Sequence, residues 1–186
     1  MLGRSHGLLE RSGRSGPLSL RHSEIVLLLS ERAAGLSGGE LEAALSDQGL
    51  SAVTVRAEVS RLRSTLGDEL LGSRPYALRA PLVTDVQRVR LALEAGRLRA
   101  AVAAYAGPVL PASEAPGVVE LRDDLRLLLR ERLVGGGDVE ALLAYAQSAD
   151  GREDHEVWSA AARALPPGPR RTFVEQHLVE LDRLLG

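Results

Sequence analysis

Cysteine does not occur in the 186 residues, which excludes disulfides, a thiolate nucleophile and any cysteine-ligated metal. Lysine is missing as well, so all 23 basic side chains are arginine. Aromatic residues make up 3% of the chain, leaving Leu, Val and Ala to build the core and favouring helices over sheets. No apolar run approaches the ~20 residues of a membrane span. The opening MLGRSHGLLER lacks the apolar stretch of a secretory signal. These absences describe a soluble, cytoplasmic protein. Two more concern chemistry. His6, His22, His155 and His177 are scattered without ligand spacing, and no G-x-x-x-x-G-K phosphate loop occurs, so neither a metal nor a cofactor is expected. HEVW at 155–158 sets an acid beside a histidine, yet no nucleophile or second acid accompanies it, so a hydrolase is set aside.

What is present is 45% hydrophobic and 26% charged, with a net charge of −2. Residues 1–80 hold ten Arg against nine Asp and Glu, and residues 81–186 thirteen against sixteen. Such a balance does not describe a whole-protein polyanion binder, so local pattern has to identify any charged partner.

Along the chain, Gly7–Arg11 and Pro17–Leu20 read as short strands joined by SGRSG, a β-hairpin with Gly13 and Gly16 in the turn. Arg21–Arg32 places Ile25, Leu28 and Leu29 on one helical face, with Gly35 as its terminator. Ser37 and Glu40 form a capping box for a helix reaching about Ser46. Ser51 caps the next helix, in which Val55, Val59, Leu62 and Leu66 make a buried stripe and Gly67 is the stop. LLGSRPYALRA then reads as a second hairpin with Arg74 at its tip. Hairpin, three helices and hairpin within about 80 residues are the parts of a winged helix-turn-helix. Beyond Pro81 strand signals vanish. Helices are expected at Thr84–Ala95, Leu98–Tyr105, Val118–Val134, Asp138–Ser148, His155–Leu165 and Arg171–Leu185, a TPR-like set of helix pairs. The fold class expected is therefore mainly α with small β-hairpins. A winged helix-turn-helix domain over 1–81 would precede an all-α helical domain over 82–186.

The helix at 52–66 is the candidate site. Opposite its buried stripe lie Val53, Arg56, Ala57, Ser60, Arg61 and Ser64, with Glu58 and Arg63 at the flanks. A merely solvated helix mixes Glu and Arg one turn apart. Small residues and arginines suit close approach to DNA, where arginine takes a guanine edge or a phosphate through two hydrogen bonds. For Arg63 the alternative is an intradomain salt bridge.

LSLRHSEIVLLLSERAAGLSGGELEAAL, VTVRAEVSRLRSTLG and LLGSRPYALRA together resemble the winged-helix output domain of OmpR/PhoB-type response regulators. The most specific match runs through Thr54, Val55, Val59, Ser60, Arg61, Leu62, Arg63, Leu66 and Gly67, whereas the family's wing glycines are missing around Arg74. ALEAGRLRAAVAAYAGPVLP is similar to the bacterial transcriptional activator (BTAD) domain of SARP regulators, on Tyr105, Gly107, Pro108, Leu110 and Pro111. The arrangement also resembles the C-terminal half of actinobacterial regulators with an N-terminal GAF sensor, leaving a fragment or a stand-alone effector as alternatives. The resemblance implies a bacterial transcription regulator that binds double-stranded DNA and is not an enzyme. The helix at 52–66 would enter the major groove and Arg74 the minor groove, with Arg61 and Arg63 on phosphates or base edges. The helical domain would dimerise, contact RNA polymerase or receive a sensor's signal, and DNA would be bound as a homodimer or in tandem. The competing expectation is a protein-interaction adaptor that grips its partner through the TPR-like half, its winged helix not binding DNA.

Overall fold

The computed structural model describes residues 1–11 and 13–185; Ser12, within the expected hairpin connector, and Gly186 lie outside the described residues. The chain is mainly α-helical with one small antiparallel hairpin among the described residues. In order, the elements are β1 (Leu8–Arg11), β2 (Arg14–Pro17), α1 (Leu20–Ser30), α2 (Gly38–Leu45), α3 (Ala52–Leu66), α4 (Asp85–Glu94), α5 (Leu98–Ala104), α6 (Pro116–Gly136), α7 (Val139–Ala146), α8 (His155–Ala164) and α9 (Pro169–Leu185). Two compact units result: Met1–Gln87 with Pro108–Asp123, and Arg88–Gly107 with Asp124–Gly186.

In the first unit α1 is central. Ser23, Glu24 and the five apolar residues Ile25 to Leu29 are all buried, so this helix is enclosed on every side rather than on one stripe. A buried charge has to be paired. Glu24 therefore accepts a 2.6 Å hydrogen bond from Ser113 and meets Arg21 at 2.9 Å. Arg122 donates to the carbonyls of Val109, Leu110 and Ser113, which folds the Pro108–Ala115 segment onto the start of α6. Helices α2 and α3 each pack on α1 and on one another.

Three expectations need correction here. The hairpin register pairs Arg11 with Arg14 and Leu8 with Pro17, so the second strand is Arg14–Pro17 rather than Pro17–Leu20. Gly16 is therefore a strand residue. Leu18 turns inward and Ser19 becomes the α1 N-cap, its Oγ accepting from the His22 amide at 3.1 Å; capping wins over strand propensity. Gly35 does not terminate α1, which ends at Ser30. Its φ of +78° belongs to a close approach instead, since a Cβ there would lie 2.5 Å from the Tyr76 carbonyl oxygen. The second hairpin contracts to an isolated Leu71–Leu78 bridge, while Tyr76 exchanges two 2.8 Å hydrogen bonds with Leu36. Leu36 has taken over part of the pairing that was expected within 70–80.

The second unit is a stack of short helices. α5 packs on α7, α7 on α8 and α8 on α9. Its core carries Tyr145, Trp158, Leu129, Leu142 and a run of alanines on α8. The Tyr105 hydroxyl donates to Asp150 at 2.6 Å, and burial is the largest cause holding that phenol well above its usual range. Trp158 is buried as expected, donating to the Arg152 carbonyl and packing against the His177 ring, tilted by 44° at 4.1 Å between centroids. Among the described residues no helix is long and apolar enough to cross a membrane.

Candidate nucleic-acid interface

α3 owes its start to Ser51, whose Oγ accepts from the Thr54 amide at 3.2 Å and lies 2.9 Å from the Thr54 hydroxyl. It stops at Gly67, where φ is +107°, a conformation that suits glycine. Arg11 of β1 reaches the same end and donates to the Leu66 carbonyl at 2.7 Å. Both ends of the helix are thus fixed by named side chains.

The expected stripe is buried: Val55 and Val59 are 1% exposed, Leu62 0% and Leu66 5%. The opposite arc presents Val53, Arg56, Ser60, Arg61 and Ser64 as exposed, with Ala57 half-buried, and Thr54 beside it is exposed as well. Among the described residues nothing hydrogen-bonds or pairs with the Arg56 guanidinium. Ser64 turns back onto its own helix, donating to the Ser60 carbonyl at 3.2 Å.

Arg61 is exposed but occupied. Its guanidinium is paired with Glu58, whose other carboxylate oxygen lies 3.5 Å from His22 Nε2 on α1. The arc is free of acidic residues by position, yet a carboxylate from its flank reaches into it. That i, i+3 pair was legible in the spacing of Glu58 and Arg61.

Arg63 faces the other way. It is half-buried, and its Nε donates to the Leu71 carbonyl at 3.1 Å. Nη2 lies 3.0 Å from Ser73 Oγ and 3.4 Å from the Gly72 carbonyl. Among the described residues, neutral oxygens of the loop before Arg74 take these donors, rather than a carboxylate. Arg74 itself is exposed, between Ser73 and Pro75. The expected site residues therefore separate into exposed Thr54, Arg56, Ser60, Arg61, Ser64 and Arg74, half-buried Ala57, and an inward-facing Arg63. Sequence reasoning passed over Arg11 and Ser73, whose roles depend on partners 55 and 10 residues away.

The second unit offers a different kind of surface. Leu143, Gln147, Pro169, Arg170, Phe173 and Val174 line a shallow crevice of about 340 Å³ between α7 and α9. Phe173 is 61% exposed there. Among the described residues no group of three or more His, Asp or Glu is arranged to hold a metal ion.

Residues 138–186, spanning α7 to α9, match the family described as the third C-terminal helical domain of YTH3-like proteins. The chain is 44% identical over 179 residues to a relative from Rhodococcus erythropolis described as an uncharacterized 47.3 kDa protein in the thcA 5' region. That similarity covers 96% of this chain and 41% of the relative, so the chain spans less than half the length of the protein it matches. No solved structure matches the chain.

Proposed function

We propose that the protein is a cytoplasmic, sequence-specific DNA-binding transcription regulator whose helix α3 reads the major groove. The observation that carries this is the exposed arc of α3, made of arginine, hydroxyl and small side chains with one exposed valine, Val53, on a helix capped at both ends. Among the described residues Arg56 has no partner, which leaves it for a base edge or phosphate. Arg61 joins it after leaving Glu58. Thr54, Ala57, Ser60 and Ser64 keep the surface low enough for the helix to sit deep, and the Ser60 hydroxyl serves as a phosphate donor. Arg74 extends the footprint from the adjoining loop toward the backbone or minor groove. The order of α1, α2, α3 and the 70–79 loop fits the OmpR/PhoB-type resemblance, and the helix pairs of the second unit fit a BTAD-like or TPR-like module. In this proposal the helical module serves dimerisation, RNA polymerase or a sensor, and DNA is bound as a homodimer or in tandem.

Selection of bound sites from random double-stranded DNA by the purified chain tests the proposal. Recovery of a defined sequence is expected. Arg56→Ala or Arg61→Ala should then weaken binding by about 1–3 kcal/mol at the contacted position. Recovery of no sequence, or unchanged affinity in both variants, overturns it.

A second reading is favoured by one observation. Phe173, the chain's single phenylalanine, is 61% exposed on α9 beside the α7–α9 crevice. An adaptor gripping a partner protein would use such an anchor. That outcome pairs loss of partner capture in Phe173→Ala with the absence of any selected DNA.

A further inference from the structure

We propose that Arg63 is a positioning residue, which sets where Arg74 meets DNA by clamping the 71–73 loop onto α3; this rests on the DNA-binding reading above. Three hydrogen bonds run from one guanidinium to three consecutive residues, at Leu71 O (3.1 Å), Gly72 O (3.4 Å) and Ser73 Oγ (3.0 Å). The next residue is Arg74. The base of the loop is already stitched without Arg63: Gly72 N donates to Ala77 O at 2.8 Å, Arg79 N to Leu70 O at 2.9 Å, and Tyr76 pairs with Leu36. The tip is where Arg63 matters. Ser73 is exposed, and its hydroxyl accepts from Arg63.

The chemistry requires arginine. A planar fork of donors spans several acceptors at once, whereas a lysine ammonium presents one nitrogen. All the acceptors are neutral, so hydrogen bonds rather than an ion pair hold the clamp. A free loop tip would have to be ordered at the moment of binding, and the Arg63 clamp removes part of that cost beforehand.

The test uses the full chain as Arg63→Ala, Arg63→Lys, Arg74→Ala and the Arg63→Ala/Arg74→Ala double variant, each checked for unchanged helical circular dichroism. Affinity is read by fluorescence anisotropy on the selected site, and amide hydrogen exchange at 72–74 is read without DNA. Arg63→Ala, Arg63→Lys and Arg74→Ala should each weaken binding by about tenfold. The double variant should be no weaker than Arg74→Ala, because an arginine that acts only through Arg74 has nothing left to position. Exchange at 72–74 should accelerate in both Arg63 variants.

Multiplied losses in the double variant would make Arg63 an independent DNA contact and overturn the proposal. So would full affinity in Arg63→Lys, or unchanged exchange at 72–74. Failure of the unsubstituted chain to select any DNA sinks the DNA-binding reading itself. The positioning role falls with it, whatever the exchange shows.

Discussion

On the exposed arc of α3, Arg61 is paired with Glu58 three residues earlier, and Glu58 in turn faces His22 across to α1. A DNA-binding α3 has to break this pair or share it, since the same donors cannot serve a carboxylate and a phosphate fully. Glu58→Gln should therefore tighten DNA binding by up to about fivefold at low salt, the worth of an exposed ion pair. Anisotropy titrations of both chains on the selected site check it, and a weaker variant would show that Glu58 orients Arg61 instead.

Ser51 starts α3 through its 3.2 Å bond to the Thr54 amide. Ser51→Ala should lower stability by about 1 kcal/mol. Thermal unfolding measures it, and an unchanged midpoint would mean that packing of the Val55–Leu66 stripe alone holds the helix.

Asp138 caps α7. The Ala141 amide, followed by the Arg99 guanidinium 2.9 Å away, holds its carboxyl below the usual value of 3.8. Because the folded-state value is depressed, the stabilisation is fully present above the unfolded value and is lost as pH falls through the folded one. The stability difference between the parent chain and Asp138→Ala should thus be largest near neutrality and shrink below about pH 4. Urea titrations at pH 7, 5 and 3 follow it; a constant difference would show that the charge contributes nothing.

Gly151 is pressed against α7. A Cβ there would lie 2.1 Å from the Tyr145 carbonyl oxygen, which is backbone and cannot swing aside. Gly151→Ala should cost about 1–3 kcal/mol or more. Chemical denaturation is the measure, and a neutral result would require the loop after Tyr145 to shift freely.

Much of the helical framework was legible because its ends are written in side chains. Ser37 with Glu40 marks a capping box and Ser51 a further N-cap; α2 and α3 begin one residue after these caps. The buried stripe of α3 followed from spacing alone. What failed was pairing at a distance. Leu36 takes Tyr76 as its partner, and Gly35 is a glycine because of that neighbour rather than because a helix ends there. Arg63 differs from Arg61 by two positions, yet the helical turn aims it at Leu71, Gly72 and Ser73. Periodicity placed Arg63 at the edge of the arc, but it did not supply the oxygens waiting there.

The buried bond from Ser113 to Glu24 joins residues 89 apart. Its consequence lies in time rather than in space. On a ribosome adding ~5–20 residues per second, Glu24 is made roughly 4–18 s before its Ser113 partner. During that interval the Glu24 carboxylate has Arg21 on its own helix but lacks the hydroxyl that later covers it. The first unit therefore cannot finish folding in the order in which it is made. A chain stopped at Gln87 should leave α1 half-dressed and prone to association.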